Sequence, residues 1–170
     1  LYNVDELGSL LNGNNFKMFG ENVMICRNGS DHTADLAYID PEAEYTAEHF
    51  NQLPEGAPYQ LINGKLIYMA SPFDIHQLVS DNLLILLKIF VRKNKLGKVR
   101  SAPLDVHLDK KNVYQPDILF ISNERKTILD GKVYGAPDFV VEILSDKPGK
   151  DRTEKMENYG KYNVLELSLI

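Results

Sequence analysis

Residues 138–144 read Asp138-Phe139-Val140-Val141-Glu142-Ile143-Leu144. Apolar side chains fall on both faces of this segment when it is extended, the pattern of a strand covered on both sides. Glu142 interrupts it. A carboxylate inside an apolar strand is costly unless it is paired or bound to a cation. Glu142 is therefore either a strand glutamate paired with a lysine or a metal ligand with a partner acid on the next strand.

Gly135-Ala136-Pro137 leads into this strand, residues 151–160 read as a helix after it, and 164–170 as a further strand. Upstream, residues 115–121 form a second extended run containing Pro116-Asp117. Before that, Leu104, Val106 and Leu108 alternate with Asp105, His107 and Asp109, with a turn at residues 110–112. Residues 74–95 have the strongest helical periodicity: Ile75, Leu78, Val79, Leu83, Leu86 and Phe90 recur at helical spacing, and Gly97 is expected to end that helix. Asn63-Gly64 marks a tight hairpin within residues 59–69, and Thr46 is expected to cap a short helix running to about Leu53. The order is α-β-β-β-α-β, a mixed α/β fold with a sheet flanked by helices.

The chain has 170 residues, 44% hydrophobic and 25% charged, which suits one globular domain and excludes a disordered or collagen-like chain. The longest aliphatic run, Leu83 to Leu87, falls far short of the ~20 apolar residues of a membrane span. Cys26 is the single cysteine, which excludes a disulfide scaffold and suggests a reducing, cytoplasmic setting. The four histidines are scattered, so any metal would be held by carboxylates, favouring magnesium, manganese or calcium. Residues 1–44 read as an N-terminal arm and 45–170 as the folded domain. The start at Leu1 and the stop at the last strand suggest truncated ends.

A net charge of −5 argues against a general nucleic-acid coat protein. One stretch runs the other way: Lys88, Arg92, Lys93, Lys95, Lys98 and Arg100 occur with no acid among them. It is either a solvated helix end or a nucleic-acid-binding face centred on Arg92, Lys93 and Lys95.

Asp117 and Asp138 are the candidate partners of Glu142. Asp138 lies four residues away on the same strand, about 13 Å at ~3.3 Å per residue, too far to share an ion. If the two strands run antiparallel, Asp117 comes beside Glu142. The alternation at 104–109, folded as a hairpin against 115–121, makes Asp105 a third ligand or else a plain solvent-face acid. Asp151, Lys155 and Tyr159 recur every four residues on one helix face. They are an ordinary i,i+4 ion pair, or they project a lysine over the acids, where it could stabilise phosphorane charge.

From residue 45 onward the chain resembles the Uma-type restriction endonuclease family, a branch of the PD-(D/E)XK nuclease superfamily. The resemblance rests on Tyr59-Gln60-Leu61-Ile62-Asn63-Gly64-Lys65-Leu66, on Ser71-Pro72 before His76, on Pro103-Leu104-Asp105-Val106, on Gln115-Pro116-Asp117, and on residues 135–145 with Asp151, Lys155 and Tyr159. It implies a restriction-endonuclease-like core that cleaves DNA with Mg2+ or Mn2+, acting as a monomer or homodimer. In that pattern Asp117 and Glu142 are the metal-binding acids. Lys155 replaces the motif lysine, whose position here holds Leu144, and Gln60, His76, Asp151 and Tyr159 are accessory. Gln60 stands where the family usually has an acid. That departure keeps open a second function, a catalytically inactive nuclease fold that binds nucleic acid or protein.

Overall fold

In the computed structural model, residues 43–53, 56–144 and 150–169 are described, with backbone alone for 150–152 and 166–169. The expected arm therefore lies almost wholly outside the described residues. Among the described residues, no helix is long and apolar enough to cross a membrane.

Thr46 caps α1 (Ala47–Phe50) by accepting from the His49 amide, while the His49 ring accepts from the Thr46 amide. β1 (Tyr59–Ile62) and β2 (Lys65–Tyr68) form the expected hairpin. Its turn residues Asn63 and Gly64 have φ of 48° and 79°, the positive values that such a turn requires. Helix α2 (Asp74–Lys93) follows. The chain then forms β3 (Gly97–Ser101), β4 (Val106–Asp109), β5 (Asn112–Tyr114) and β6 (Ile118–Ser122). A short 3-10 turn leads to β7 (Leu129–Asp130) and β8 (Lys132–Tyr134). β9 (Phe139–Ile143), α3 (Lys150–Lys161) and β10 (Leu165–Leu169) complete the fold.

Two sheets result. One has the order β2-β1-β5-β4-β8-β7, the other β10-β9-β6-β3. The second, with α2 and α3, is the αβββαβ unit, but its first strand is Gly97–Ser101. This corrects the expected hairpin of 104–109 against 115–121. The 104–109 run pairs instead with Asn112–Tyr114, which begins where the turn at 110–112 was expected, while Ile118–Ser122, the core of the 115–121 run, pairs with β3 and β9 in the other sheet. The crossing comes at Gln115-Pro116-Asp117, and Pro116 has no amide hydrogen for a ladder.

α2 ends on a Schellman turn. The Leu96 amide donates to Val91 O and the Lys95 amide to Arg92 O, with Lys95 at φ 54°. Lys95, not the expected Gly97, is thus the left-handed residue. Gly97 instead lies against β6, where a Cβ would come 2.1 Å from the Ile121 carbonyl oxygen.

The four-stranded sheet is covered on both faces. Val79, Leu83, Leu84, Leu87 and Val91 of α2 pack on Val99, Ile118, Val141 and Ile143. On the other face Leu119, Ile121 and Val140 meet Tyr159 of α3 and Val106, Tyr114 and Val133 of the six-stranded sheet. Alternation along β9 therefore turns Glu142 toward α3.

His107 lies within the six-stranded sheet, stacked on Tyr134 at 5.1 Å and edge-on to Phe50 at 6.3 Å. Its Nε2 is buried with no hydrogen-bond partner among the described residues. Burial, followed by the nearby Lys132 charge, holds its pKa below the usual histidine range. The unfolded chain therefore takes up this proton first as pH falls. Stability is full above about pH 6.5 and is lost below it, toward the lower folded-state value. Thermal melts at stepped pH should show a His107→Phe variant losing less stability than the parent between pH 7 and 5.

Candidate active site

β6 and β9 run antiparallel with Ile118 opposite Val141, which brings the residue before Ile118 alongside the end of β9. The Asp117 Oδ2 accepts the Ile143 amide at 2.7 Å and lies 3.4 Å from His76 Nε2. Asp138 sits at the far end of the pair, accepting from the Ser122 amide and hydroxyl. The antiparallel geometry thus separates the two Pro-Asp acids as expected.

The Glu142 Oε1 accepts from Lys155 Nζ at 2.6 Å and from the Tyr159 hydroxyl at 2.7 Å. Both partners come from α3, one turn apart. Burial pushes the Glu142 carboxyl above the usual carboxylate range and the Asp117 charge adds to that; Lys155 and Tyr159 pull it back. Lys155 also lies 5.6 Å from the Tyr114 ring centre and 5.9 Å from that of Tyr159. The side chains of Asp117 and Glu142 remain 19% and 17% exposed, enough for a ligand to reach them. His76 and Asp117 line a groove of about 360 Å³ together with Ser80, Asp81, Ser101 and Ala102.

What seats α3 is a buried amide network that sequence reasoning missed. The Asn158 Nδ2 donates to Asn63 Oδ1 at 2.9 Å and to the Tyr114 hydroxyl at 2.7 Å. Tyr114 in turn donates to Asn112 Oδ1 at 2.7 Å. Asn112 and Asn158 are both buried. Because Asn158 precedes Tyr159 and lies three residues after Lys155, the network fixes the helix that aims both at Glu142. Its sequence signal is faint: an asparagine on a helix usually reads as a solvated one.

The Uma2 family model, described as "putative restriction endonuclease", matches residues 47–170. This chain belongs to the Uma2 family. A solved structure with the same fold is "a putative nuclease belonging to DUF820 from Anabaena variabilis ATCC 29413". It aligns with a TM-score of 0.61 and 21% identity over 72% of this chain and 73% of that one, and at that identity the likeness is one of fold. No curated protein matches the chain.

In this Uma2 chain the remaining described site candidates are held by other partners or lie along α2. Asp105 accepts from Gln115 Nε2 at 2.7 Å and pairs with Lys132 at 2.8 Å. Its strand faces β5 rather than β6, so the geometric argument for a third ligand does not hold. Among the described residues, no cluster of three or more His, Cys, Asp or Glu side chains could hold a metal. Gln60 spends its oxygen on the Gln115 amide at 3.2 Å and its Nε2 on the Met69 sulfur, tying β1 to the segment that carries Asp117. The Asp151 side chain lies outside the described residues. Arg92, Lys93 and Lys95 are exposed at the far end of α2. At ~1.5 Å per residue, Arg92 stands roughly 24 Å along the helix from His76.

Proposed function

We propose that this Uma2 protein is a divalent-metal-dependent endonuclease that hydrolyses DNA phosphodiester bonds at Asp117, Glu142 and Lys155. The observation that carries the reading is the placement of the Lys155 ammonium 2.6 Å from Glu142 Oε1, at the end of the central β6–β9 pair where Asp117 also lies. A partly buried lysine and a buried tyrosine thus converge on one acid that feels the charge of a second.

The donor set suits Mg2+ or Mn2+. Mg2+ keeps several waters and uses one or two carboxylates plus substrate phosphate, so a two-acid site without a full protein cage fits it. The Asp117 charge that raises the Glu142 pKa is a repulsion a cation would relieve. Bound there, such an ion supplies Lewis acidity and an activated water.

The chain's own groups divide the remaining work. Lys155 offers a fixed cation to a phosphoryl oxygen and a hydrogen bond to orient the attacking water. Tyr159 holds the Glu142 carboxylate in one rotamer through its hydroxyl. His76, within reach of Asp117 Oδ2, positions that carboxylate from the α2 side.

Lys155→Met tests this reading. Cleavage of supercoiled plasmid with Mn2+ should fall roughly 10²–10³-fold, the cost of losing one preorganised donor to the transition state. Metal binding should persist, because both acids remain. Full activity in the variant would overturn the role of Lys155, and an inactive parent under varied substrates would favour the binding-module reading.

A further inference from the structure

α2 has a second apolar face that the fold does not use. Its inner face packs on the sheet through Val79, Leu83, Leu84, Leu87 and Val91. Ile75, Leu78, Ile85, Leu86, Ile89 and Phe90 point outward, each 54–65% exposed. Together they leave on the order of 600 Å² of apolar surface in water, at the upper end for a monomer and near the ~800 Å² per partner of a standard interface.

The spacing is ordered. Ile75, Leu78, Asn82, Ile85 and Ile89 alternate at intervals of three and four, the seam of a heptad repeat. Asp74, Asp81 and Lys88 fall one residue before the Ile75, Asn82 and Ile89 positions, along one flank of that seam. The acids occupy the first half of the helix and the cations Lys88, Arg92 and Lys93 the second. All are exposed, and among the described residues none of the five forms an ion pair within 4.0 Å.

We infer that the occupant of this face is a second copy of the chain, with the two α2 helices packed antiparallel. A two-fold axis near the helix middle sets each seam against the other. The same flank then faces itself in reverse, so Asp81 meets Lys88 of the second copy on each side of the axis. A parallel pairing would instead stack acid on acid and cation on cation. The polarity of charge along the helix thus selects one orientation of one partner.

Sedimentation analysis of the full chain at micromolar concentration tests this. The parent should sediment as a dimer. Ile85→Glu should weaken dimerisation roughly a hundredfold, since it sets a charge in the seam. Asp81→Lys should weaken it about tenfold by creating like-charge contacts, and adding Lys88→Asp to the same chain should restore it. Circular dichroism melts confirm that each variant is folded. A monomeric parent overturns the inference, whether residues 1–42, a lipid surface or another protein then covers the face. A dimer indifferent to Ile85→Glu overturns it as well, and a double variant that fails to recover overturns the antiparallel pairing. None of these readings depends on DNA cleavage.

Discussion

Asp117→Asn and Glu142→Gln should each lower metal-dependent DNA cleavage by at least about a thousandfold while leaving the fold in place. The choice of amide over alanine follows from the hydrogen bonds. In Asp117→Asn the side-chain carbonyl oxygen can still accept the Ile143 amide. In Glu142→Gln it can still accept from Tyr159 and Lys155. What each variant loses is charge. In Asp117→Asn, Glu142 no longer faces a like-charged neighbour in a partly buried site, so the melting temperature should hold or rise slightly; Glu142→Gln also removes the Lys155 counter-charge and should lower it modestly. Alanine at either position would mix this effect with the cost of orphaned donors, about 1–3 kcal/mol each. Cleavage assays paired with thermal melts separate the two. Retained cleavage in either variant would remove that acid from the chemistry, and unfolding in both would make the acids structural.

The largest effect on stability is expected at Gly97. Its backbone runs so close to β6 that a Cβ would sit 2.1 Å from Ile121 O and 2.8 Å from the Ser122 Cα. Neither is the end of a flexible side chain that could swing away. Gly97→Ala must pull β3 from β6, straining a five-residue ladder and the buried Val99 within it. Roughly 3 kcal/mol of destabilisation follows from forced overpacking of this kind, or a fall of about 10 °C in a domain of this size. Gly160 provides the opposite case. It is exposed in α3 with open space where a Cβ would go, so Gly160→Ala should gain roughly 0.5–1 kcal/mol from helix propensity alone. Opposite signs for the same substitution at two glycines, read by thermal denaturation, check the close approach at Gly97.

These sites show where the sequence was legible. β9 could be read because its apolar residues leave little choice of environment, and that made Glu142 conspicuous. The 20-residue helix announced itself by period, and Asn63-Gly64 announced its hairpin by the positive φ values it tolerates. β3 did not, because Gly-Lys-Val-Arg-Ser buries one side chain, Val99, on the sheet's edge and looks like a basic loop. The division of residues 112–122 between two sheets was also hidden. Sheet membership depends on distant partners, and the local alternation of β4 fits either sheet. That one misplacement is what put Asp105 beside Asp117 in the sequence reading.

The candidate site divides in the same way. The Asp117 and Glu142 pairing required only antiparallel strands, and Lys155 and Tyr159 required only the four-residue repeat of one helix face. The Asn63, Asn112, Tyr114 and Asn158 network required knowing that the hairpin turn and α3 touch. No local pattern reports that contact across 95 residues.

Calorimetric titration of Mn2+ and Mg2+ into the parent and into Asp117→Asn tests the metal site most directly, because it needs no guess about substrate. The parent should show one saturable site that weakens sharply or vanishes in the variant. Absence of binding in the parent, or equal binding in both proteins, would contradict it.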